Sequence, residues 1–166
     1  MSFSQKLKEF HETFEMDVRD TPYHEIFDDK KLVNLRLKLI QEEWEELQEA
    51  IANRDLTETF DAILDMHYVL SGMCVSLGLN EDYGFHLVHQ SNMSKLCDTE
   101  EHAQETVEWY KETRPHFKPS YRKTKDGKKW LVFDELTGKV LKNKYYKPVD
   151  LSVLLTNTTD DTDDLS

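Results

Sequence analysis

The chain is short of cysteine, of apolar residues and of positive charge. Its two cysteines, Cys74 and Cys97, build no disulfide framework in 166 residues, and Cys74 reads as a small core residue of an apolar helix. No unbroken run of 18 apolar residues occurs, so no segment is expected to span a membrane. Met1 to Asp20 alternates apolar and charged residues at helical spacing, which is not the pattern of a secretory leader. The expected product is a soluble, cytoplasmic protein of one domain. Hydrophobic residues make up 38% of the chain and charged ones 33%. So thin an apolar share favours extra burial at a subunit interface, as a dimerising helical bundle supplies. With 33 Asp and Glu against 21 Lys and Arg, the net charge is −12. That charge repels long polyanions and disfavours a nucleic-acid polymer as partner. Small phosphorylated ligands stay admissible, because a bound divalent ion reverses the local field.

What is present is helical periodicity. Phe3, Leu7, Phe10 and Phe14 recur at helical intervals after Ser2, and Thr21-Pro22 ends that segment. A Glu-rich helix follows from Lys31, then the polar connection Asn53-Arg54-Asp55, then an apolar helix opening at Thr57 and Glu58 and running to about Leu77. Gly78 suits a C-cap and Asn80 an N-cap. The next helix carries Phe85, Val88, Asn92 and Leu96 on one face, and another runs from Asp98-Thr99 to Pro115. Residues 118–147 are rich in Lys and Arg. Within them Trp130-Leu-Val-Phe133 and Lys139-Val-Leu-Lys142 flank Asp134 to Gly138, which reads as a small β-hairpin or ribbon. The expected layout is an all-α bundle over 1–115, a basic arm over 116–155 completing the same domain, and a disordered acidic tail over 156–166.

Carboxylates stand where a helix of this kind should be apolar. At about 100° per residue, Leu32, Leu35, Leu39, Ile40, Leu47, Ala50 and Ile51 share one arc of the Glu-rich helix. Glu43 lies inside that arc, Glu46 within it to one side and Glu42 at its edge, while Glu45 and Glu49 point further out. On the following helix one narrow polar gap carries Asp61, Asp65, Tyr68 and Gly72. An acidic run alone is a common solvated face. Asp in mid-helix is a poor helix former, however, and a lone buried carboxylate is costly. Several acids aimed at one interior suggest a hard cation. No His stands three residues after a Glu, which excludes the ferritin-type di-iron pattern, and no His or Cys cluster offers a zinc site. Oxygen donors alone point to Mg²⁺, or Mn²⁺, bound together with phosphates.

Other groups could complete such a site. Asn92 and Lys95 lie on or beside the apolar face of their helix, where they could meet a nucleoside and a phosphate. Arg36, on the inward arc of the Glu-rich helix, could pair with either a carboxylate or a phosphate. Arg122, Lys125, Lys139 and Lys142 could close over phosphates, because a multi-phosphate ligand calls for more positive charge than Lys95 and a metal supply.

The run Leu39-Ile-Gln-Glu-Glu-Trp-Glu-Glu-Leu-Gln-Glu-Ala50 followed by Asp61-Ala-Ile-Leu-Asp65 resembles the MazG-like, all-α nucleoside triphosphate pyrophosphohydrolases, relatives of phosphoribosyl-ATP pyrophosphatase and of dimeric dUTPases. The resemblance continues through Tyr68-Val-Leu-Ser-Gly72, His89-Gln-Ser-Asn-Met-Ser-Lys95 and Gly138-Lys-Val-Leu-Lys142, and covers roughly Leu32 to Asp150. It implies a four- to five-helix bundle, an intimate homodimer, and cleavage of a nucleoside triphosphate to its monophosphate and pyrophosphate in house-cleaning or nucleotide-pool control. Glu42, Glu43, Glu46 and Asp65 correspond to the family's metal-binding carboxylates, and Glu42 or Glu43 would accept the proton of the attacking water. Tyr68 and Asn92 would position the nucleoside, with Lys95 and the basic arm on the pyrophosphate. One departure stands out: the family's second helix carries Glu-x-x-Asp, and the residue three before Asp65 is Ala62. Asp61 with Asp65 is the preferred pair, since both share the polar gap with Tyr68, and Glu58 with Asp61 is the alternative. The rival functions are hydrolysis of phosphoribosyl-ATP and a non-catalytic helical interaction module.

Overall fold

The computed structural model describes residues 2–156, and five helices and one antiparallel hairpin account for most of them. Residues 157–166, which hold most of the acidic tail, lie outside the described residues. In chain order come α1 (Phe3–Thr13), a 3₁₀ turn (His24–Phe27), α2 (Lys30–Ala52), α3 (Leu56–Leu77), α4 (Glu81–Met93), α5 (Glu100–Thr113), β1 (Pro119–Lys123), β2 (Trp130–Asp134) and a last 3₁₀ turn (Ser152–Leu154). The helix starts follow from their caps. Ser2 and Gln5 form a reciprocal capping box on α1, and Asp29, Asp55 and Thr99 accept backbone N–H bonds at the starts of α2, α3 and α5.

The chain divides into two compact units, one of residues up to Gly84 with the segment from Leu151, the other Phe85–Asp150. In the first unit α2 and α3 form a long antiparallel pair joined by Asn53–Asp55, and α1 packs on α3. Its buried residues are small or polar: Leu7, Leu32, Ala50, Ala62 and Val75 beside His11, Arg36, Ser71 and Ser76. The guanidinium of Arg36 donates to Ser76 Oγ, and Ser76 Oγ in turn donates to the Asp17 carbonyl at 3.2 Å. Gly72 admits this knot, since a Cβ there would stand 3.1 Å from His11 Nε2 and 3.6 Å from Arg36 Nη1. α3 is long and apolar enough to cross a bilayer by length and composition alone, although 28% of its most apolar stretch is buried in the fold.

In the second unit α5 lies on the hairpin, around Cys97, Ala103, Val107, Tyr110, Val132 and Leu141. The hairpin differs from the one expected. Trp130–Asp134 pairs with Pro119–Lys123 in the register Pro119↔Asp134 to Lys123↔Trp130, and the 139–142 segment joins β2 only by a single bridge, Phe133↔Val140. The reason lies in two turns. Thr124 and Asp126 fold the first around Gly127 at φ 70, which returns β2 onto β1. Asp134 uses its own carboxylate to hold Lys118 N, Leu136 N and Thr137 Oγ1, so the chain leaves the ladder there.

Candidate active site

Arg36, Glu43 and Ala50 succeed one another at seven-residue intervals on α2, one stripe of the helix. Arg36 is 3% and Ala50 5% exposed, and Glu43 stands half-buried on the stripe between them. Across the α2–α3 seam stands Ala62, also buried, and the two alanines allow the helices to approach closely. Asp61 and Asp65 flank Ala62 on α3, at positions that place them on either side of that contact. Burial pushes the Glu43 carboxyl above the ordinary 4.5, and the negative charges of Glu46, Asp65, Glu42 and Asp61 push it further in that order. Glu43 Oε2 is buried and has no hydrogen-bond partner. Five acids thus share one electrostatic neighbourhood, with Glu43 at its centre.

Glu42 takes a different direction, its carboxylate lying 3.1 Å from Lys38 Nζ one turn back. Towards the end of the helix pair a cavity of about 400 Å³ is lined by Glu46, Glu49, Asn53, Glu58 and Asp61. Asp61 therefore belongs to both groups: it acts on Glu43 and it faces the cavity. Glu58 and Asp61 stand three apart and Asp61 and Asp65 four apart, so either pair can share a ligand on one helix face. Glu49, expected to face water, joins this cavity. Its phase on the helix gave no signal of that, because the cavity is completed by Asn53 and Glu58 from the turn and the next helix. Among the described residues no three His, Cys, Asp or Glu side chains stand as placed in a ligating array. The donor set itself, all oxygen with one buried oxygen unpartnered, fits a hard divalent cation.

The remaining candidates fall in different places. Tyr68 is in the first unit, with its ring edge-on to Phe10 at 5.5 Å. Arg36 is buried, hydrogen-bonded to Ser76, with its Nε unpartnered. Asn92 and Lys95 stand in the second unit, where Lys95 Nζ donates to Asn92 Oδ1 at 2.6 Å. Lys95, Lys139 and Lys142 line one cavity there. Arg122 lies instead over the Phe133 ring at 4.9 Å, and Lys125 is exposed in the β1–β2 turn.

The sequence profile of the phosphoribosyl-ATP pyrophosphohydrolase family matches residues 7–92, from α1 to the end of α4, and includes every one of these carboxylates. The chain belongs to that family. It is a MazG-like, all-α NTP pyrophosphatase by superfamily, as the Glu-rich and Asp-bearing helices suggested. A similar protein, uncharacterized, is encoded by Acanthamoeba polyphaga mimivirus; it is 29% identical over an alignment covering 91% of this chain and 94% of that one. Membership of this family makes the chain a pyrophosphohydrolase of the MazG-like type.

Proposed function

We propose that the chain hydrolyses nucleoside or deoxynucleoside triphosphates to the monophosphate and pyrophosphate, using Mg²⁺ or Mn²⁺ held by the carboxylates of α2 and α3. The observation that carries this reading is Glu43, a half-buried acid among four others, whose buried Oε2 has no hydrogen-bond partner among the described residues. Such an arrangement is costly unless a cation offsets it. The bound ion supplies charge neutralisation at the phosphates. Glu43, Glu46, Asp61 and Asp65 are the residues that hold it, and Glu58 adjoins them through Asp61. Glu42 lies at the edge of the seam beside Lys38, and it takes the proton of the water that attacks the α-phosphorus. As that P–O bond forms, the bond from the α-phosphorus to the bridging oxygen breaks and pyrophosphate leaves. Removal of a triphosphate in this way serves house-cleaning or control of a nucleotide pool.

The test is pyrophosphate release from ribo- and deoxyribonucleoside triphosphates and from phosphoribosyl-ATP, each with Mg²⁺, with Mn²⁺ and with EDTA. Metal-dependent release with a monophosphate product is the expected result. Folded Glu46→Ala and Asp65→Ala proteins should be inactive, and near-full turnover by either would overturn this assignment of the site. Glu58→Gln compared with Asp65→Asn separates the two second-helix pairs, since the variant that raises the Mg²⁺ requirement marks the ligand.

A further inference from the structure

The charge of this chain is unevenly divided. Residues 85–150 hold 13 Lys and Arg against 10 Asp and Glu, a net of +3, which leaves −15 of the total −12 for the rest. Within this basic unit a cavity of about 390 Å³ is lined by Lys95, Arg114, Lys139, Lys142 and Lys144 together with the ring of Trp109; among the described residues no carboxylate lines it. A cavity of this size is in the range that holds small organic ligands. All of its lining lies beyond residue 92, where the family match ends.

Solvated surface lysines are the plain alternative, and three observations weigh against it. Elsewhere in the unit Lys111, Lys118 and Lys129 each have a carboxylate oxygen within 2.7 to 2.9 Å. Of the five cations lining the cavity, Lys144 has Glu105 Oε2 at 3.8 Å, while among the described residues the other four have no carboxylate within 4.0 Å. The second observation is that two of them, Lys95 and Lys142, are fixed rather than trailing. Lys95 Nζ is held by the neutral Asn92 amide, and Lys142 Nζ sits 4.5 Å above the Tyr146 ring. Third, the segment that bears Lys139 and Lys142 is tied down beside Lys95, because Asn143 Nδ2 donates to the carbonyls of Ser94 and Leu96, both at 2.9 Å. Four like charges held around one hollow repel each other, and an anion in the hollow offsets that repulsion.

We propose that this groove binds a nucleoside polyphosphate by itself, without a divalent ion and without the carboxylates of α2 and α3. The lysines and the two-pronged guanidinium of Arg114 take the phosphate oxygens. The half-buried Trp109 ring takes the face of the base. The proposal goes beyond the hydrolase reading, which places no ligand on Arg114 or Trp109.

Calorimetric titration of the full chain in EDTA tests it, with inorganic tripolyphosphate, ATP and UTP as probes. The expected result is saturable binding of one probe molecule per chain, with the nucleotides about tenfold tighter than tripolyphosphate. Lys139→Glu/Lys142→Glu, at exposed positions, should weaken all three by about tenfold or more, and Asp65→Asn should change none. No saturable binding, or an equal loss in Asp65→Asn, would overturn the groove, and tripolyphosphate binding as tightly as ATP would overturn its nucleoside part. Parallel pyrophosphate release in Mg²⁺ keeps the two readings separable. Turnover without metal-free binding removes the groove alone, and metal-free binding without turnover removes the hydrolase reading alone.

Discussion

At Glu43 the demands of folding and of chemistry pull apart. Its carboxyl is raised by burial first and then by four neighbouring acids, so the folded chain without a cation resists ionising it. The sign follows from linkage: between the ordinary value and the raised folded one, the native state holds more protons than the unfolded state, and stability falls as pH rises. Above the raised folded value the full penalty is in place. Glu43→Gln removes the charge with little change of shape, so the variant should melt higher than the wild type in EDTA while losing about a hundredfold or more in turnover. A melting scan paired with a pyrophosphate assay checks both halves, and a lower melting point would show that Glu43 has a partner in the fold. His11 shifts the other way. It is 1% exposed, and burial lowers its pKa below 6.5, with the charge of Arg36 adding to the effect against the Asp17 carbonyl it bonds. Here the unfolded state takes up the proton first, so stability present above pH 6.5 is lost as pH falls below it. The loss should approach about 1.4 kcal/mol per pH unit. Denaturant titrations at pH 7 and pH 5 should show that slope in the wild type and its reduction in His11→Gln.

Among the elements, the joint after α3 depends on one residue. Gly78 ends the helix at φ 65, and a Cβ there would stand 1.9 Å from the Thr21 carbonyl oxygen. Gly78→Ala meets both the left-handed penalty and a backbone clash, which together should cost about 2–5 kcal/mol in equilibrium unfolding. Loss of under 1 kcal/mol would mean that the segment around Thr21 moves aside freely. That glycine was legible from the sequence, as was the cap at Asn80, because capping is local chemistry written in neighbouring residues. The inward place of Glu43 was legible for a similar reason, since it interrupts, with Glu46 and Arg36, a 3.6-residue apolar period on α2. The partner of β2 was not. Trp130 to Phe133 looks equally suited to pair with the strand before it or after it, and the choice rests on Asp134 spending its carboxylate on Lys118 N across the hairpin and on Leu136 N and Thr137 Oγ1 in its own turn. Arg36 was ambiguous for a further reason: phase places a side chain on a face but does not reveal a Ser76 and a Gly72 waiting on another helix to enclose it.

For the whole molecule the unresolved demand is the outer face of the α2–α3 pair. Leu56 is 82%, Phe60 61%, Ile63 49% and Leu64 46% exposed, and on α2 Leu37 and Trp44 are each 53% exposed. A monomer in water rarely presents so many large apolar side chains on two adjoining helices. Two environments would cover them, another protein surface or a bilayer. The bilayer is the poorer fit, since α3 also carries Glu58, Asp61 and Asp65, and burying three carboxylates in hydrocarbon is far more costly than leaving apolar groups wet. A second copy of the chain offers a matching face and needs no new sequence, because two-fold pairing is self-complementary. The homodimer proposed from the sequence therefore places the α2–α3 face at its interface. Sedimentation equilibrium of the detergent-free protein should give a mass near twice 19.7 kDa. Phe60→Asp/Ile63→Asp, which touches no buried residue of the fold, should shift that mass to the monomer. Glu43 and its neighbours lie on the same two helices, so loss of the dimer should also lower turnover by loosening the carboxylates. A wild-type monomer with full activity would sink the dimer, and would leave the apolar face to a partner of another kind.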